Sequence, residues 1–260
     1  MRPQCIRRSG FALRAIAMTL FLACGPGSNA ADYFYADTAG FDSLTTNVPA
    51  NFSLADNTLT ITRLTNLAAD MTQSTASLTF SATSPSNPDW VAGNRDFYQV
   101  ALNTTTTSPG TVNYEFAFAT ALPTSSYLVF VDFDVKEKVS IRAYDASDTL
   151  IPFASTTFFK ENGQDPSGTA APTTYTSLGG YTGVIAATNN VNLSNPVVGL
   201  NSTIPIKRVV YEFNLNPEST TIINNSLRFN FAVVPEPSTY LLGSISALAI
   251  GWMARRRRAA

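Results

Sequence analysis

The sequence predicts an all-β protein: an antiparallel β-sandwich of jelly-roll type, set between an N-terminal signal helix and a C-terminal transmembrane helix. Three observations carry this expectation. Between residues 32 and 234 apolar residues alternate with polar ones at a period of two, and no helical period persists. Thr, Ser and Asn dominate the connecting stretches, as they do in turns. The two ends differ from the middle: an Arg-containing, then apolar stretch opens the chain, and an apolar run followed by four arginines closes it.

At the front, Arg2, Arg7, Arg8 and Arg14 precede a short apolar core over 15–23, and Ser28-Asn29-Ala30 offers the small residues that signal peptidase reads. Cleavage is expected after Ala30 or one residue later. The organisation is then a secretory signal over 1–30, a β-sandwich domain over 31–234 and a tail over 235–260. A competing reading makes Cys24 a lipidated first residue, but Phe21 stands where such a site expects an aliphatic side chain. Cys5 and Cys24 are the only cysteines. Both leave with the signal, so the exported part has no disulfide and its fold rests on its core.

The strands follow in order. Residues 58–64 and 76–82 are Thr-rich and alternating, and 97–102 come after a turn-like 88–94. Val112, Tyr114, Phe116 and Phe118 share one face, against Asn113, Glu115 and Ala117. Over 127–135, Val129, Val131 and Phe133 point one way and Asp132 and Asp134 the other; Val139, Ile141 and Ala143 continue after a short turn. Val209, Tyr211, Phe213 and Leu215 alternate with Val210, Glu212 and Asn214, and Leu227, Phe229, Phe231 and Val233 with Arg228, Asn230 and Ala232. One apolar and one polar face per strand is the pattern of antiparallel sheets buried on one side. A three-residue loop of Lys136, Glu137 and Lys138 sets Val135 opposite Val139, Phe133 opposite Ile141 and Val131 opposite Ala143. It also sets Asp132 opposite Arg142 as a cross-strand ion pair.

Residues 160–203 interrupt the pattern. The run 161–168 is turn-rich, Gly179, Gly180 and Gly183 add freedom, and only 184–187 and 197–200 read as ordered. Such an excursion suits a binding or lid loop and variable surface equally well. Tyr-Glu-Phe at 114–116 recurs at 211–213, which reads as strand composition and not as a repeat.

Charge and composition then exclude several chemistries. Residues 32–236 hold nine basic residues against all 18 acidic ones, a net of −9. An acidic domain argues against nucleic acid and anionic membrane surfaces, which call for clustered Lys and Arg. There is no histidine, and the exported part has no cysteine. Ser-His-Asp and Cys-His catalysis, His or thiolate zinc sites and c-type haem are therefore ruled out, and no cofactor is expected. Carboxylates remain. Glu115, Glu212, Asp132 and Asp134 are candidates for a glycosidase pair, with a solvent-facing polar row as the plainer reading. Asp132, Asp134, Asp145 and Asp148 are the candidates for calcium, although Asp145-Ala146-Ser147-Asp148 equally makes a turn between strands. Trp90, beside Pro88 and Asp89, and Tyr175 and Tyr181 in the Gly-rich excursion are the aromatics placed for sugar contacts.

The tail begins with Pro235, Glu236 and Pro237. Each proline removes a backbone donor and pushes its predecessor towards extended structure, which makes an exposed handle. Residues 240–253 are a mostly apolar run of 14, and with Ser238, Thr239 and Ala254 it reaches 17, the lower edge of the roughly 17–25 residues that a spanning helix needs. A transmembrane helix is expected over 238–254. Arg255, Arg256, Arg257 and Arg258 follow at once and hold that end in the cytoplasm, with everything upstream outside.

The order of triplet, short apolar helix and arginine cluster resembles the PEP-CTERM sorting tail of Gram-negative bacteria. That resemblance implies a membrane transpeptidase, an exosortase, which recognises Pro235-Glu236-Pro237, removes the tail and releases or attaches the protein at the surface. It also implies an association with extracellular polysaccharide and biofilm. Residues 131–150 look like β-sandwich domains found ahead of such tails. The expectation is an exported, noncatalytic cell-surface or extracellular-matrix protein. It passes through an inner-membrane intermediate, meets signal peptidase and exosortase, and binds polysaccharide or matrix partners. The alternatives are an extracellular carbohydrate-active enzyme with paired carboxylates and a purely structural anchored protein.

Overall fold

Alternation in the sequence becomes alternation in burial. In the computed structural model Val112, Tyr114, Phe116 and Phe118 are buried on one face of a strand whose Asn113, Glu115 and Ala117 are half-buried on the other. The structure describes residues 33–68, 70–80, 93–102, 110–133, 137–161, 173–188, 197–215 and 225–233. The chain divides into units Met1–Asp32 and Tyr33–Ala260, and all the described residues belong to the second. The signal with Ala30, the loop of Trp90, Asp134, Val135 and Lys136, and the tail from Pro235 onwards lie outside the described residues.

The strands are β1 (Phe34–Tyr35), β2 (Ala50–Leu54), β3 (Asn57–Arg63), β4 (Met71–Phe80), β5 (Gly93–Leu102), β6 (Gly110–Leu122) and β7 (Tyr127–Val131), then β8 (Lys138–Tyr144), β9 (Thr156–Glu161), β10 (Thr173–Thr176), β11 (Gly183–Ala187), β12 (Val197–Ser202), β13 (Ile206–Leu215) and β14 (Asn225–Val233). They form two seven-stranded sheets in which every ladder between named strands is antiparallel. One runs β4-β5-β14-β7-β12-β9, with β1 also on β14; the other runs β10-β11-β8-β13-β6-β3-β2. From β5 to β8 each strand lies in the other sheet from its predecessor. β11 then stays beside β8, and β12, β13 and β14 alternate again.

The core lies between the sheets. Its largest members include Tyr98, Tyr114, Tyr211, Phe116, Phe130, Phe213 and Phe229, all fully buried. Ring centroids lie 4.8 Å apart for Phe213 and Phe229 and 5.0 Å apart for Phe116 and Tyr211. Dense aromatic packing of this kind stabilises a domain that has no cysteine for a disulfide. The repeated triplets turn out to be neighbours: Tyr114 on β6 stands directly opposite Tyr211 on β13. Their hydroxyls differ. Tyr114 Oη donates to Gln73 Oε1 at 2.9 Å, an oxygen that also accepts from Arg63 Nη1 at 2.9 Å. Tyr211 Oη is buried with no hydrogen-bond partner among the described residues.

The expected hairpin after residue 131 is corrected. β7 pairs with β14 and β12 in the first sheet, whereas β8 pairs with β13 and β11 in the second, so the chain crosses the sandwich instead of turning back. Asp132 therefore does not face Arg142; its partner is Arg228, Oδ2 to Nη1 at 3.0 Å. The expected face of 127–135 also changes. Asp132 has left-handed backbone, φ 63°, which ends the alternation and brings Phe130 and Phe133 together in the core. Val129 and Val131 instead join Phe97, Val197 and Ala232 in a separate buried cluster on the outer face of that sheet, flanked by Tyr33, Tyr35, Leu78 and Tyr127. Leu128 to Val131 are all buried because both faces are covered there.

The N-terminal segment is clipped to the last strand. β14 pairs with β5 as far as Phe229↔Tyr98, and β1 takes over at Tyr35↔Ala232 and Phe34↔Val233. The fully buried Asn230 side chain fills the gap between them. Its Nδ2 donates to Ala36 O (3.2 Å) and Asp96 O (2.7 Å), and its Oδ1 accepts from Ala36 N (3.1 Å) and Phe231 N (2.7 Å). Every donor and acceptor of the amide has a partner, as a buried amide requires.

Candidate functional site

The outer face of the second sheet carries the densest set of polar and aromatic groups among the described residues. The odd-numbered residues of β13 from 209 to 215 fill the core, which leaves Arg208, Val210 and Glu212 outward. Register sets Arg142 and Glu115 on either side of Val210, Tyr144 and Ala117 beside Arg208, and Ser140 and Asn113 beside Glu212. The result is a three-by-three patch across β8, β13 and β6.

Two arginines organise it. Arg142 forms an ion pair with Glu212 and lies over the ring of Tyr181, 5.2 Å from its centroid; Tyr181 Oη donates to Glu212 Oε2 at 2.9 Å. Arg208 sits 3.8 Å from the Tyr144 ring centroid and reaches Glu115 Oε2 at 3.0 Å and Asp148 Oδ1 at 2.5 Å. Partial burial opposes its charge, but the carboxylates of Asp148 and Glu115 outweigh that, so Arg208 is held above its ordinary pKa and stays a guanidinium. Diagonal neighbours in antiparallel sheets lie about 7–8 Å apart. That places Glu115 and Glu212 within the carboxyl separations that glycosidases use, about 5–10 Å. A glycosidase acid has to carry a proton, however, and a guanidinium in contact favours the carboxylate.

The sequence-predicted aromatics separate. Tyr175 lies between Phe153 and Phe158, centroids 4.7 and 5.2 Å away. Its hydroxyl lies 3.0 Å from Thr156 Oγ1, and burial raises its pKa against that bond. A Cβ on Gly183 would fall 2.2 Å from this ring, so glycine is what lets β11 pass under it. Tyr181, in contrast, is part of the outer patch. Trp90 lies outside the described residues.

The calcium candidates are dispersed. Asp132 accepts from Ser226 Oγ at 2.8 Å and pairs with Arg228 beside the first sheet. Asp145 Oδ1 accepts from Ser147 N at 2.8 Å and Thr149 N at 2.9 Å, closing the turn after β8, and Asp148 holds Arg208. Asp134 is outside the described residues. Among those described, no three acidic side chains gather as a cation would need. The patch residues that the sequence did not single out are Arg142 in its observed pairing, Tyr144 and Arg208. Alternation placed them on polar faces, but the adjacency of β8, β13 and β6 is a long-range property.

Among the described residues no helix is long and apolar enough to cross a membrane, and the span expected over 238–254 lies outside them. The last described residue, Val233, is where a family match begins. Residues 233–258 match the PEP-CTERM protein-sorting motif. The chain carries a PEP-CTERM sorting signal. This implies an exported protein that passes through the membrane and is processed by an exosortase. The PEP-CTERM match starts on the final residue of β14, so the sorting signal abuts the fold with Val234 alone before Pro235. A search of curated proteins gives no match. Among solved structures, the chain is similar to the crystal structure of the enzymatically active domain of tailspike protein 4 of bacteriophage CBA120. Identity is 12%, the TM-score is 0.28, and the match covers 64% of this chain and 20% of that one. The match thus spans a fifth of that protein's chain, and a likeness at this level carries no argument about activity.

Proposed function

We propose that this is a noncatalytic cell-surface or extracellular-matrix protein. It is exported through its N-terminal signal and held in the inner membrane by the helix over 238–254. An exosortase then processes it at Pro235-Glu236-Pro237. The observation that carries the reading is the sorting motif joined directly to a folded β domain. The alternation of strands between sheets fits the jelly roll expected from the sequence, an architecture also used by lectins; this is an analogy of fold and sets no ligand. Within the reading, the outer patch is the surface for sugar hydroxyls. Tyr181 offers a ring, and Arg142, Glu212 and Glu115 offer charge-assisted hydrogen bonds. Because Glu115 and Glu212 are each engaged by an arginine, recognition suits this patch better than general acid chemistry.

The test begins with intact mass of the protein from the cells that make it. A chain starting near Ala31 and ending near Pro235 is the expected product, and replacing Pro235, Glu236 and Pro237 by alanine is expected to leave a membrane-bound species ending at Ala260. Unchanged processing of that triple variant would refute recognition of the triplet. For the domain, Arg142→Ala and Tyr181→Ala are expected to lower retention on the native polysaccharide while the melting temperature stays near wild type. Hydrolysis of that polysaccharide, abolished in Glu115→Gln or Glu212→Gln, would favour the enzyme instead.

A further inference from the structure

Each sheet has two edges, and three of the four are blunted. β2 is crossed by the N-terminal segment, Asp37 N donating to Ser53 O at 2.8 Å. β10 has four residues. β9 has six and ends in Lys160 and Glu161. Short edges, covered edges and charged edges are the usual ways of preventing a sheet from adding another strand.

β4 has none of these. It is ten residues long, Met-Thr-Gln-Ser-Thr-Ala-Ser-Leu-Thr-Phe, with no charge and no proline. It pairs with β5 from Met71↔Leu102 to Phe80↔Gly93 without a register shift, so no bulge turns it away. Thr72, Thr75 and Ser77 are exposed. Among the described residues its outer side pairs with no strand. A long, regular, uncharged edge of this kind is a template for one more strand.

We infer that β4 is an assembly edge that pairs antiparallel with β4 of a second copy of this chain. A copy is the occupant that the edge chemistry favours. The domain is strongly acidic, so two copies repel over most of their surfaces, whereas at β4 each presents an uncharged row of Thr and Ser with main-chain donors and acceptors. A two-fold axis perpendicular to the sheet preserves which face each side chain occupies, so opposed residue numbers sum to an even number. With the axis at Thr75, Thr75 faces its own copy, Gln73 faces Ser77, Ser74 faces Ala76 and Thr72 faces Leu78. No like charges meet, and the two first sheets become one. This pairing needs only the sheet edge and is independent of what the outer patch binds.

Sedimentation velocity on the exported, processed protein is the direct test. Wild type is expected to sediment as a dimer, and Thr75→Lys/Ser77→Lys, which sets like charges against each other at an exposed edge, as a monomer with an unchanged melting temperature. Thr75→Cys supplies a second readout. The natural cysteines, Cys5 and Cys24, lie within the expected signal, so a short bis-maleimide is expected to join two copies of the Thr75→Cys variant through position 75 alone. A wild-type monomer at the highest soluble concentration would overturn the inference, and so would a dimer that survives the double lysine variant or a dimer that the introduced thiol fails to cross-link. Cross-linking of that thiol to a different protein would also overturn it, by naming another occupant for the edge.

Discussion

Two tyrosines in direct register make a controlled experiment on buried hydroxyls. Tyr114 and Tyr211 stand opposite each other on β6 and β13, both fully buried. Burial raises both phenol pKa values; for Tyr114 the nearby Arg63 pulls the other way, and for Tyr211 nothing opposes it. A buried polar group left unpaired costs about 1–3 kcal/mol, and a neutral hydrogen bond contributes about 0.5–1.5 kcal/mol net. Tyr211→Phe removes an unpaired hydroxyl and is expected to stabilise the domain by about 1 kcal/mol. Tyr114→Phe removes the bond to Gln73 and is expected to destabilise by about the same amount, tempered because Gln73 Oε1 keeps Arg63. The two variants should therefore differ by about 2 kcal/mol, or roughly 4–8 °C in melting temperature for a domain of this size. Urea unfolding with a shared slope reads the difference. Equal losses in both variants would refute the reasoning, and a high-resolution structure showing an ordered water on Tyr211 Oη would explain why.

Asp132→Asn tests a charge without changing shape, and Asn tolerates the left-handed backbone at that position. Burial holds the Asp132 carboxyl above its ordinary value, against the pull of Arg228 and Ser226. The folded protein therefore keeps a proton there at pH values where the unfolded chain has lost it, and the residue's contribution to stability falls as pH rises out of the ordinary carboxylate range. Denaturation at pH 4 and pH 7 is expected to show the Asn variant gaining on wild type at the higher pH; a gain in the other direction would assign the dominant role to Arg228. Asn230→Ala strands Ala36 N, Ala36 O, Asp96 O and Phe231 N, and is expected to cost at least about 2 kcal/mol. Hydrogen exchange should locate the loss at residues 34–37, with β8 and β13 protected as before.

Period-two alternation made β3, β6, β8, β13 and β14 legible, because each presents one face to a single core. It failed where that condition fails. β7 has apolar residues on both faces since a second cluster covers the outer side of its sheet, and the positive φ of Asp132 breaks the count where the chain leaves for the other sheet. β1, β2, β9 and β10 are short or edge strands with little burial to impress a pattern, and the ordered parts of 160–203 emerge through pairing with distant partners, β10 on β11 and β9 on β12. The sorting motif was readable in full because it is a linear signal. The outer patch was readable only as separate polar residues, since its pairs join positions 60 to 93 residues apart.

The way β14 is held has a mechanical consequence. It is an interior strand, flanked by β5 and by β7, and its last two residues run alongside β1. A load applied to the C-terminal end pulls along the strand axis, so β14 can leave only by sliding past both neighbours and breaking their ladders together. A domain tethered by this end resists tension through shear, the direction in which paired strands yield last.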